Sequence, residues 1–145
     1  MKWTRIAKRP QRPFSIACMN KNIIFVSGDI LTIALLTLAG FASHGEADLA
    51  FLPRMAATFF PVSAAWFLLA PWFGLLDEKL VVKLRSVLRV PLAMIFVAPL
   101  AAILRAAVLG SAALPIFVLV LGSTFALGIL IWRAAFAYFA RLSKS

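Results

Sequence analysis

The chain has 145 residues, 63% of them hydrophobic and 14% charged, with a formal net charge of +10. Soluble domains are about 45–50% apolar, and a soluble fold of this length could not cover so large an excess. The composition excludes an ordinary soluble domain and points to an all-α integral membrane protein with a single membrane domain. The positive charge does not indicate nucleic acid as a partner, because the basic residues flank apolar runs instead of lining one soluble face.

Residues 1–22 hold six Lys/Arg and no acid. Pro10 and Pro13 argue against a regular helix there, so this stretch is expected to be a basic cytoplasmic tail. Its lone Cys18 has no intramolecular partner for a disulfide and no second ligand at metal-binding spacing. The first apolar run, residues 23–41, is longer than a signal-peptide core and is interrupted by Asp29. Eleven Ile, Leu, Val or Phe in this run contribute about −3 to −7 kcal/mol to insertion, against about +3 kcal/mol for a centrally placed Asp. The segment is expected to span the bilayer.

Span 2 is expected over 55–73, with Pro61 inside it and Pro71 near its end. Prolines are tolerated in membrane helices where neighbours satisfy the freed carbonyls. Trp66 is too deep for an interfacial belt and is expected to pack between helices. Span 3 is expected over 90–109, with a kink at Pro99, and span 4 over 114–133, its apolar character continuing to about residue 140. A domain of residues 23–140 then leaves 141–145 as a second cytoplasmic tail. The links are short: 42–54 carries His44, Glu46, Asp48 and Arg54, 74–89 is basic and suits an interfacial helix, and 110–113 is an uncharged hairpin.

Charge sets the expected orientation. The N-terminal tail, the 74–89 link and the C-terminal segment together hold thirteen Lys/Arg, against Arg54 and Arg105 at the other end. Lysine and arginine collect on the cytoplasmic side, so both termini are expected there, in the cytoplasmic (inner) membrane. Trp72 and Trp132 would then lie in the aromatic belt.

Embedded charges are costly and tend to pair or to face a cavity. Asp29 lies about 9 Å inside span 1, and Arg133 about 12 Å inside span 4, from the same side. Matched depth makes them a candidate intramembrane ion pair or proton relay, and a locally hydrated Asp29 is a third option. Ser123, Ala126, Leu130 and Arg133 are expected to share one face of span 4. With Gly28 and Gly122, Ser123 and Ala126 are the candidate helix-packing residues. Arg105 lies about 7–8 Å below the far boundary, where it could form an outer polar pocket with His44, joined by Glu46 or Asp48. Snorkelling to lipid phosphate is the competing role for Arg105.

No catalytic residues are expected, for there is no nucleophile motif, carboxylate-rich metal cluster or glycine-rich phosphate loop. No cofactor or metal is expected either, since one histidine cannot build a metal or haem site alone. The expectation is a non-catalytic multi-pass protein, an accessory or structural subunit of a larger membrane assembly. The bilayer is its sure partner, with another membrane protein or a second copy left open. A small transporter or proton-coupled carrier using Asp29 is the alternative.

Four stretches carry a resemblance: "GDILTIALLTLAGFASHG", "FFPVSAAW", "PLAAILRAAVLG" and "PIFVLVLGSTFALGILIWR". Over roughly residues 26–135 the chain resembles the prokaryotic membrane family DUF3054, in Gly28-Asp29, His44, Pro61 with Trp66, Arg105 and Trp132-Arg133. Val62 and Ala65 stand where that pattern would have phenylalanine and glycine. The resemblance implies a compact four-span protein and no assigned activity.

Overall fold

The computed structural model describes residues 16–77 and 88–142, with side chains from residue 23 onward and excepting Arg141. Most of the expected basic tail, the expected interfacial helix in 74–89 and Lys144 lie wholly or largely outside the described residues. Among the described residues four α-helices follow one another: α1 (Ile16–Ser43), α2 (Leu52–Leu69), α3 (Arg89–Leu109) and α4 (Pro115–Leu142). A short 3-10 turn, Leu49–Phe51, leads into α2. All four helices contain stretches long and apolar enough to cross a membrane, namely Ile23–Ser43, Leu49–Leu69, Arg89–Leu109 and Pro115–Ala140.

Backbone chemistry explains where the helices stop. At the end of α1 the Gly45 N–H bonds Ala42 O at 3.0 Å and the Glu46 N–H bonds Phe41 O at 2.9 Å. This is the Schellman pairing, which requires a left-handed residue at its turn, and Gly45 supplies it with φ +72°. Gly110 does the same for α3 with φ +61°, allowing the tight connection to α4.

Span 2 departs from expectation at both ends. Helix α2 begins at Leu52, because Pro53 occupies its first turn, where a missing N–H costs nothing. It ends at Leu69, four residues before the expected limit, and Pro71, Trp72 and Phe73 belong to the turn that follows. Arg54 therefore sits in the first turn of α2 and not in the link. Another correction concerns the tail: residues 16–22 are already helical and extend α1 backward from the apolar run.

The helices run antiparallel around a closed square, with α1 on α2, α2 on α3, α3 on α4 and α4 on α1. Helix α3 shows why they close. Its buried residues, Val90, Ala93, Met94, Val97, Ala98, Ala101 and Ala102, recur at the three-and-four spacing of one helical face. Four of these seven are alanines, so neighbouring backbones approach closely: a methyl on Gly122 of α4 would lie 2.9 Å from the Ala98 Cβ. In lipid, such packing of small residues replaces the hydrophobic drive that holds soluble bundles together. Val62 and Ala65, the departures noted in span 2, are both buried in the core around Trp66.

Hydroxyls within the spans bond their own helices. Thr32 Oγ1 donates to Gly28 O and Thr37 Oγ1 to Ile33 O, each at 2.8 Å. Such back-bonding lets a polar side chain sit in an apolar helix without an outside partner.

Candidate functional site

Two polar regions occupy opposite ends of the bundle. The first centres on Asp29, which is 0% exposed, and Arg133, which is 3% exposed. Helix α1 delivers the acid and α4 the base, and Gly28 makes their meeting possible. A Cβ at Gly28 would stand 1.9 Å from the Trp132 ring, so only glycine lets α4 lie this close, and the next residue along α1 meets the next along α4.

The resulting contact is a two-point fork. Arg133 Nε donates to Asp29 Oδ1 at 3.2 Å and Nη2 donates to Oδ2 at 2.5 Å. Arginine's planar guanidinium matches a carboxylate in this way, where lysine would offer one point charge. Two further groups complete the cluster. Trp66 Nε1 of α2 donates to Asp29 Oδ2 at 3.0 Å, and Arg133 Nη1 donates to the carbonyl of Leu75 at 2.9 Å. The guanidinium also lies over the rings of Phe25, 4.4 Å from its centroid, and Trp66, at 5.0 Å. Each contact favours the cation. The pair thus joins α1 and α4, and through Trp66 and Leu75 it also holds α2 and the turn beyond it.

At the other end, a cavity of about 350 Å³ opens between the C-terminal half of α1 and the N-terminal half of α4. His44, Glu46, Thr58 and Arg105 line it together with apolar side chains from α1 and α4. Arg105 does not lie free along the bilayer. Its Nε donates to Thr58 Oγ1 at 3.0 Å, and its guanidinium carbon sits 4.6 Å over the Phe117 ring. Glu46 pairs instead with Arg54, at 3.5 Å, while Asp48 is exposed at the start of the 3-10 turn and takes no part in the cavity lining.

The packing candidates divide. Gly28 and Gly122 sit at close approaches, and Ala126 packs against the core. Ser123 does not share the Arg133 face: it is exposed, and its hydroxyl bonds Leu119 O and Val120 O of its own helix. The reason is angular, since two residues at about 100° each put Ser123 about 160° from Phe125, the residue that points inward at that level. The face that points inward is Leu121, Phe125, Ile129, Arg133 and Ala137, at a spacing of four. Trp132 is half-buried against Gly28, with its Nε1 inaccessible and without a hydrogen-bond partner among the described residues. Trp72, by contrast, is 85% exposed.

Sequence reasoning missed the Trp66 and Leu75 contacts. Trp66 carried a readable signal, because a buried indole N–H needs an acceptor and Asp29 is the acid embedded in the spans. The Leu75 carbonyl carried none, since a backbone group in a turn has no residue-type signature. No group of three or more His, Cys, Asp or Glu is placed to hold a metal among the described residues. No curated protein and no solved structure matches the chain. A family model described as "Protein of unknown function (DUF3054)" matches residues 26–136, most of the chain, and the protein belongs to that family.

Proposed function

We propose that this multi-pass membrane protein is non-catalytic, an accessory subunit of a larger membrane assembly, with both termini on the cytoplasmic side of the inner membrane. In this reading the Asp29–Arg133 pair is a structural clasp, not a relay. The observation that carries it is the closure of the site. Asp29 has no exposed surface, and both its oxygens are engaged by Arg133 and Trp66. A proton carrier needs an acid that exchanges with water, and an unexposed carboxylate with both oxygens engaged is poorly placed to do so.

A shallow groove between α3 and α4, lined by Met94, Ala98, Gly122 and Ser123 among others, supports the accessory role, because small residues allow a partner helix to approach. The charge bias of the described and undescribed segments together supports the orientation.

Two measurements test this reading. Protein reconstituted in liposomes with an internal pH-sensitive dye is expected to carry no proton flux that depends on Asp29; a flux abolished by Asp29→Asn would contradict the clasp and favour a carrier. Ser123→Cys, placed in a Cys18→Ser background, is expected to cross-link in native membranes to one stoichiometric partner. A bundle that cross-links only to lipid would contradict the subunit role.

A further inference from the structure

We propose that the cavity at the end opposite the clasp binds an anionic amphiphile, with its charged oxygen head on Arg105 and its hydrocarbon chain against Leu36, Leu121 and Phe125. This rests on residues that the clasp does not use.

Size comes first. A volume of about 350 Å³ falls within the ~300–1,000 Å³ of small-molecule pockets. It equals the share of about a dozen waters, each of which needs two to four polar partners. Most of the lining surface is apolar and cannot supply them, with Leu36, Phe41, Phe117, Val120, Leu121 and Phe125 forming the walls. Water is a poor tenant, and a hydrocarbon chain is a good one. Gly40 leaves room on the α1 wall, since a Cβ there would meet no atom within 4 Å.

Charge selects the head group. Glu46 is the one acid among the lining residues, and Arg54 takes it as an ion pair at 3.5 Å. The Arg105 cation is left without an ion-paired carboxylate among the described residues. Its orientation is set nonetheless, by Thr58 Oγ1 on Nε and by the Phe117 ring beneath the guanidinium. Nη1 and Nη2 then have no acceptor among the described residues, and they form the edge that receives carboxylate or phosphate oxygens in pairs. Thr124 lines the same cavity and adds a hydroxyl. A neutral chain would leave Nη1 and Nη2 without an acceptor, and a cation would be repelled by the guanidinium. A bare inorganic anion would leave the apolar walls uncovered. An acyl chain ending in a carboxylate or phosphate answers both requirements.

The test uses the full-length protein in neutral detergent, with binding read by native mass spectrometry. Oleate is compared with oleyl alcohol, and phosphatidic acid with diacylglycerol, so the arms also separate a free acid from a lipid head group. Each anionic probe is expected to bind about tenfold or more tightly than its neutral counterpart, the size expected of a charge-assisted hydrogen-bonded contact. Arg105→Gln is expected to erase that preference, and Gly40→Leu to weaken both anionic probes by filling the cavity. Arg89→Gln, a charge-matched change at the other end, should leave the preference intact. Inorganic phosphate alone at millimolar concentration is expected not to displace them.

Equal binding of charged and neutral probes would overturn the proposal, as would a preference that survives Arg105→Gln, binding untouched by Gly40→Leu, or displacement by phosphate alone. Photolabelling of the unmodified protein with a diazirine fatty acid keeps the test valid should a variant fail to fold. Adducts are expected within residues 36–41 and 117–125, and adducts confined to other segments would refute the site.

Discussion

Each end of the bundle draws an arginine of a helix inward with an acid nearby, Arg133 buried at one end and Arg105 half-buried at the other, yet the two arrangements differ in kind. At the clasped end both partners stand on helices, and Arg133 meets two carboxylate oxygens and a carbonyl. At the cavity end the acid, Glu46, lies on the α1–α2 link and pairs with Arg54, while Arg105 has a threonine hydroxyl and an aromatic ring. The difference teaches that depth alone does not make an ion pair in a membrane protein. A close helix crossing does, and here a glycine under a tryptophan provides it. Where the helices diverge, the same kind of side chain is left facing a space that a ligand can fill.

The strongest way to break the comparison is to remove one half of the clasp. Asp29→Ala is expected to destabilise the bundle by about 3–5 kcal/mol, because it strands a buried guanidinium; thermal unfolding in detergent measures this. Trp66→Phe keeps the packing but removes the donor to Asp29, and is expected to cost about 1.5–3 kcal/mol, as hydrogen bonds to charged groups do. Gly28→Ala acts on the crossing itself. Its methyl would collide with the Trp132 ring, for an expected loss of about 1–3 kcal/mol, and adding Trp132→Ala should recover part of it. At the cavity end the same kind of change should matter little. Glu46→Gln breaks a pair whose side chains are 35% and 57% exposed, and is expected to shift stability by less than about 1 kcal/mol. A loss there as large as that of Asp29→Ala would erase the distinction between the two ends.

Much of this architecture was legible in the sequence where helical geometry converts spacing into distance. Counting residues inward from the span ends put Asp29 and Arg133 at similar depth, and antiparallel helices with a fixed rise carry such a count faithfully. Rotation accumulates less forgivingly. The inward stripe of α4 advances by four residues, about 40° a step, so at the level of Phe125 it has drifted to the side away from Ser123, and a face inferred from spacing holds only over short stretches. Hydropathy misled at Trp72 and Phe73, which are apolar enough to extend span 2 although Pro71 and Gly74 shape a turn there. The Leu75 carbonyl that this turn presents to Arg133 was beyond reach, because a backbone acceptor belongs to a conformation and not to a residue type. The neighbourhood of His44 and Arg105 was visible from their shared end of the bundle. The cavity between them was not, since volume depends on how two helices splay.

The central claim is that Asp29 and Arg133 act as one unit, and a double-mutant cycle tests it most directly. Unfolding free energies would be measured for the unmodified protein, Asp29→Ala, Arg133→Ala and the combined variant in one detergent. The account predicts strong coupling, with the combined variant losing much less than the sum of the single losses and staying more stable than Asp29→Ala alone, since no lone charge remains buried. Additive losses would contradict it, for they would mean that the acid and the base contribute independently.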